Sequence, residues 1–415
     1  MNYNKIILFV FVAGFISITG CENFVQEVDD PIDVVSSEQL NSEDQVSFFM
    51  NGVIGRFDIT HDALTVIAGG LSDALEFDSD NVRDATFPTF RDIDNGDIQF
   101  DNNSVDGPFN TLGQARFLAD DFLSRVEEID FEDADLRQQA IYNGNLYAGL
   151  TRYIYAAYFG LEPENGGGVI NNSPFIPSPE MYNRTLGFLE TALTNAPSDY
   201  DARVVNSLIG RIHVYQGNYG TALSFLENGL ESGDAPFQSI HSLESQNAFS
   251  AQAGASRNQY TVASRYNDYI EADPDEANRI SLEVLPEDEV TDAGVEAGVV
   301  IFRQTKYFED TNINIMSWQE NHLMLAEVEL QEGGATGQAN ARTLIDEVRA
   351  SHDIDPLPLS VTVDIDLLLE ERDKELYLTG NRMIDQRRYD NWHLPAGSWK
   401  YFPITQSERN NNPEL

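Results

Sequence analysis

The chain has one cysteine in 415 residues, Cys21, so no disulfide can form within it. Lysine is nearly missing. Lys5, Lys306, Lys374 and Lys400 are the whole set, and arginine supplies the rest of the 25 basic residues. Against these stand 69 Asp and Glu, a net charge of −44. That imbalance argues against nucleic acid or an anionic lipid surface as an electrostatic partner. An acid-rich, lysine-poor surface suits saline solvent, where screening removes self-repulsion; the other reading is attraction of cations or cationic peptides. A bilayer-spanning run is missing too. Ile6 to Ile18 is thirteen mostly apolar residues, where a spanning helix needs about 20.

Catalytic and metal signatures are equally scarce. His61, His213, His241, His322, His352 and His393 are scattered, with no HExxH pair and no cysteine partner, which leaves no zinc site. No G-x-S-x-G elbow exposes a nucleophilic serine. Gly166-Gly167-Gly168 lacks the lysine and Ser/Thr of a phosphate loop and reads as a surface turn. Asp92-x-Asp94-x-Gly96-Asp97 and Glu76-x-Asp78-x-Asp80 hold oxygens that calcium could use. Neither follows the EF-hand loop, with glycine sixth and glutamate twelfth, so solvated acidic loops are expected, with calcium the alternative and no other cofactor. Carboxylates are too abundant for spacing to single out a glycosidase pair. An enzyme is therefore not supported.

What is present starts with a leader. Lys5, the apolar run and the small residues before Cys21 form a secretory signal. Ile18-Thr19-Gly20-Cys21 resembles the bacterial lipobox, which implies removal of residues 1–20 and lipid on the Cys21 sulfur. Loss of Lys5 takes the mature charge to −45. Two or more acyl chains anchor a protein stably. Residues 21–42 read as an acidic tether, rich in Asp and Glu and without periodic apolar positions. Glu27-Val28-Asp29-Asp30 resembles the acidic patch that, in Bacteroidetes-type bacteria, marks export to the outer face of the outer membrane.

Residues 43–415 read as one mainly α domain. Apolar residues recur at three- and four-residue steps over about 43–57, 109–129, 135–158, 179–195, 199–216, 219–232, 316–332 and 337–351. Two of the pairs join through a glycine five residues before an alanine, Gly217 to Ala222 and Gly334 to Ala339, which resembles the tetratricopeptide helix–turn–helix. The repeats, about 43–57, 109–232 and 316–351, are interrupted by loop-rich insertions at about 58–108 and 233–315. Long loops in a compact domain carry function, and these hold isolated aromatics. Phe77, Phe87, Tyr260, Tyr266 and Tyr269 are the candidate ligand contacts among them. Trp318 opens a repeat helix and reads as core.

The C-terminal segment, 366–415, carries the strongest motifs. Glu371-Arg372-Asp373-Lys374-Glu375-Leu376 is followed by Gly380, Arg382 and Asp385-Gln386-Arg387-Arg388, then by Phe402-Pro403-Ile404-Thr405-Gln406-Ser407-Glu408 and Asn412-Pro413. In this order they resemble the signature of SusD/RagB outer-membrane lipoproteins, as does the turn Tyr158-Phe159-Gly160-Leu161-Glu162-Pro163. Thr379 and Met383 depart from it, standing where the family often has Glu and an aromatic. The resemblance implies a SusD-like fold of tetratricopeptide helix pairs. It also implies a surface-exposed lipoprotein of the outer membrane that delivers oligosaccharide to a SusC-type TonB-dependent transporter. The alternatives are a peptide-binding lid of the RagA/RagB type and, further off, a surface glycosidase. Glu371 and Glu375, four apart on one helical face, are expected to pair with Arg382, Arg387 and Arg388 beyond the glycine turn, as an architectural ion-pair cluster.

Overall fold

The computed structural model describes Ser37 and residues 39–415. Cys21 and the acidic patch after it lie outside the described residues. The body is mainly α. Its long helices are Glu43–Leu71, Asn103–Glu128, Ala134–Tyr158, Ser178–Thr194, Asp199–Tyr215, Trp318–Glu332 and Gly337–Ala350, and they pack as tetratricopeptide-like neighbours in sequence order. Local chemistry sets several starts. Asn102, Asp133, Ser198, Ser317 and Asp364 each cap the helix that follows them by accepting a backbone N–H. No helix among the described residues is long and apolar enough to cross a membrane.

The turns of the two helix pairs use glycine where left-handed backbone is required, with φ of +72° at Gly217 and +57° at Gly334. After Gly217, Ala222 is fully buried as the spacing predicts. In the second pair Ala339 is exposed instead. The close approach there is made by Gly337, where an added Cβ would sit 2.2 Å from the Glu329 carbonyl oxygen.

The insertions differ from their sequence outline. The first helix continues past residue 57 to Leu71, and only then does the chain leave helical geometry. The two insertions then meet in one four-stranded antiparallel sheet, in which Leu75–Glu76 pairs with Thr261–Val262, followed by Phe302–Gln304 and Leu282–Val284. Gly166-Gly167-Gly168 is not a surface turn. It lies in the strand Asn165–Gly168, whose last two residues are buried, between Phe159–Glu162 and Ile176–Pro177. The tail strand Phe402–Pro403 adds parallel to Phe159–Glu162 and so fastens the C-terminal signature to the hairpin after the helix Ala134–Tyr158.

The signature forms ion pairs, but not the cluster expected within itself. Glu371 is bound by Arg279 at 2.6 Å and Arg349 at 3.0 Å, and Glu375 by His352 at 2.9 Å and Arg279 at 3.6 Å. Arg382 reaches Asp73 at 2.6 Å and Asp373 at 3.1 Å. Arg388 pairs with Asp385 at 3.1 Å and with Glu327. Arg387 has no carboxylate partner among the described residues. The reason is geometric: Gly380, at φ +80°, reverses the chain, so Arg382 meets Asp73 and Asp373, and Arg388 meets Asp385 and Glu327, in place of Glu371 and Glu375. The pairs therefore tie the insertions and the last repeat to the signature.

Candidate functional site

A cleft of about 400 Å³ opens where the first insertion crosses the helices. One wall is the helix Glu43–Leu71 through Ala63, Val66 and Ile67. Phe87 to Phe90 form the second. The opening turn of Asn103–Glu128 and the short helix Ala248–Ala253, through Gln252, complete it. Its size falls within the range of small-molecule sites.

The loop bearing Phe87 is held rigidly. The buried Gln259 side chain accepts N–H bonds from Thr86 at 3.1 Å and Phe87 at 2.9 Å, and donates to the Asp84 carbonyl. Asn102 donates to the Thr89 carbonyl at 2.9 Å, and the Thr89 and Ser104 hydroxyls meet at 2.8 Å. Phe87 keeps 39% of its surface exposed. Arg257 lies 4.1 Å from its ring centroid and donates to the Thr86 hydroxyl at 3.1 Å. Across the cleft the Gln252 side-chain oxygen is buried without a hydrogen-bond partner. A buried acceptor left unpaired is costly, and Gln252 is one of the polar residues that line the cleft.

Asp62 joins two walls of the cleft. Its carboxyl accepts N–H bonds from Ala248 at 2.9 Å and Ala63 at 2.5 Å. Burial pushes its pKa up to about 7 against the pull of these N–H groups. One turn earlier, burial likewise raises Asp58 to about 7, opposed by the Ile240 N–H and aided by the charge of Asp62, and its Oδ1 has no partner. Burial, with the charges of His241 and Arg211, lowers His61 to about 3, so the histidine is neutral. A carboxyl raised in the folded state stabilises most below its unfolded pKa near 4, and that stability is lost as pH rises through about 7. Asp58→Asn should therefore stabilise the protein at pH 8, by on the order of 2 kcal/mol, with the gain shrinking toward pH 5. Urea unfolding at the two pH values checks it. An equal gain at both would mean that Asp58 is not ionised at pH 8.

The five candidate aromatics do not converge. Phe87 alone lines the cleft. Tyr260 and Tyr266 are core residues, 0% and 1% exposed, which leaves no ring face for a sugar. Tyr260 packs edge-on behind Phe90 at 4.8 Å, and its hydroxyl donates to the Phe90 carbonyl. Tyr266 donates to Asp373 at 2.7 Å, and Tyr269, half-buried, reaches the same carboxylate at 3.3 Å beneath the Lys374 ammonium. Phe77 is half-buried against the core. Thr89, Asn103, Ser104 and Gln252 complete the cleft, Arg257 stacks on Phe87, and nothing in their spacing marked them. Among the acids considered for calcium, Asp78 accepts from the N–H groups of Asp80 and Asn81 at 3.1 Å and Asp92 pairs with Arg91. Among the described residues no three His, Cys, Asp or Glu are grouped to hold a metal ion.

Residues 303–397 match the model of the SusD family. A SusD superfamily protein from Bacteroides thetaiotaomicron superposes with a TM-score of 0.72 at 15% identity, over 90% of this chain and 98% of its own. A laminarin-binding SusD-like protein does so with a TM-score of 0.65 at 16% identity, over 88% and 97%. The surface glycan-binding protein A from Bacteroides uniformis gives 0.65 at 16%, over 89% and 98%. No curated protein matches the chain.

Proposed function

We propose that this chain, which belongs to the SusD family, binds oligosaccharide in the Phe87 cleft and passes it unaltered to a SusC-type TonB-dependent transporter. The observation that carries the binding is an exposed, rigidly held ring set in the same cleft as the polar side chains of Thr89, Asn103, Ser104 and Gln252. The ring offers a C–H platform, and Gln252, Asn103 and the Thr89–Ser104 hydroxyls can meet sugar hydroxyls. That two structural neighbours are named for glycan binding supports the ligand class. The lipobox at Cys21 supports anchorage in the outer membrane, facing the cell exterior, and the family's place beside a transporter supports delivery. On this reading the cargo is handed on intact.

One ring and a few water-competed hydrogen bonds set a modest affinity, on the order of micromolar to millimolar. Phe87→Ala and Gln252→Ala should each weaken retention on the preferred polysaccharide by about tenfold, with an unchanged melting temperature. Affinity electrophoresis through polysaccharide gels, beside a peptide library, measures this. Retention untouched by both substitutions would remove the site. Peptide binding in its place would change the ligand class, and released reducing ends would make the protein a hydrolase.

A further inference from the structure

A second and larger cleft, of about 990 Å³, shares no lining residue with the first. It lies between the glycine hairpin, the start of the helix Ser178–Thr194, the end of Asp199–Tyr215 and the C-terminal signature. Phe175, Tyr182 and Tyr215 give it apolar walls, and Asn165, Asn183, Gln216 and Asn218 line it with amides. Arg387 also lines it. The guanidinium lies 4.1 Å from the Tyr401 ring centroid and donates to the Lys400 carbonyl at 2.7 Å and the Ala157 carbonyl. Tyr401 in turn is seated on Gly166, where a Cβ would come within 2.3 Å of its ring. The cation is thus fixed before any ligand arrives.

In a chain with 69 acids, no carboxylate among the described residues lies within 4.0 Å of Arg387. The neighbouring charges are already matched: Arg388 by Asp385 and Glu327, and Glu164 by Lys400 at 3.0 Å. Of five guanidinium N–H donors, two are used on the two carbonyls. A rigid arginine with donors to spare is a receptor for a planar anion. Amides that both donate and accept suit hydroxyls. A peptide adding as a strand would need a longer edge than the two-residue strands Ile176–Pro177 and Phe402–Pro403 at the margins of this sheet. We propose that this cleft is a second glycan site, specific for oligosaccharides whose rings carry a carboxylate, with Arg387 holding the anion.

The test uses the full chain and calorimetric titration with tetramers of galacturonate and mannuronate, methyl-esterified tetragalacturonate, cellotetraose and tetraglutamate. One acidic tetrasaccharide should bind at least about tenfold tighter than the ester and the neutral sugar. Arg387→Gln should remove that preference, while Phe87→Ala should leave it intact. Should Arg387→Gln fail to fold, Asn183→Ala, at an exposed position of the cleft, must still weaken the acidic sugar. Several results would overturn the proposal: equal binding of acid and ester, no acidic sugar bound, tetraglutamate bound as well as the sugar, acidic binding that survives Arg387→Gln in a folded protein, or Asn183→Ala without effect. Loss of acidic binding on Phe87→Ala would assign it to the first cleft. The two sites thus stand or fall separately.

Discussion

Replacing Glu371 by alanine should destabilise the chain by about 3–5 kcal/mol, because it breaks a buried ion-pair network at the carboxylate that three cationic donors share. Glu371 is 1% exposed and accepts from Arg279 at 2.6 Å, Arg349 at 3.0 Å and Lys374 at 3.3 Å. Burial would raise its pKa, but the charges of Arg279, Lys374 and Arg349 outweigh burial and hold it below its ordinary value. A depressed carboxyl contributes stability above its unfolded pKa near 4.5 and loses it as pH falls through its folded value. The cost of Glu371→Ala should therefore be full at pH 7 and shrink in acid. Glu371→Gln should cost less, since the amide oxygen keeps one acceptor. The cluster joins three parts of the chain: Glu276 and Arg279 from the second insertion, Arg349 from the last repeat, and Glu371 with Lys374 from the signature helix. Losing its central acid should loosen all three together. Urea midpoints across pH measure this, and a loss below about 1 kcal/mol, the level of a surface pair, would show that water reaches the cluster.

The helix pairs were legible because one face of each is buried and the other wet. In the helix Asp199–Tyr215, Val204, Val205, Leu208, Ile209 and Ile212 are buried while Asp199 and Arg203 are not. The same logic hid the second half of the first helix. From Phe57 to Leu71 nearly every residue is buried, including Asp58, His61 and Asp62, and a helix buried all round shows no stripe. The motifs of the signature were legible as a family pattern. Their pairing was not: Arg279 and Asp73 carry no local mark, and Glu327 and Arg349, which resemble the family's last repeat, show nothing local to say which charge they meet. The cleft was the least legible part. An aromatic in a loop-rich segment has the same local signature whether it faces solvent, as Phe87 does, or fills the core, as Tyr260 does. Only long-range packing separates them.

That difference gives the second large effect. Tyr260→Ala should cost about 3–5 kcal/mol, as expected for truncating a large buried ring. Its ring is fully buried against Phe90, and its hydroxyl donates to the Phe90 carbonyl at 3.0 Å. Contact with the first helix is so close that a Cβ on Gly70 would lie 2.4 Å from the phenol. Truncation leaves a cavity beneath a residue that lines the first cleft, so glycan retention should fall together with stability. Phe87→Ala should separate the two, losing retention at an unchanged urea midpoint. Tyr260→Phe isolates the hydroxyl. It keeps the packing and removes one donor to a buried carbonyl, which should cost about 1 kcal/mol and leave retention nearly intact. Urea midpoints and gel retention for the three variants form one experiment. If Tyr260→Ala kept the native midpoint and lost the glycan, Tyr260 would be a ligand contact after all and the cleft would extend beneath Phe90.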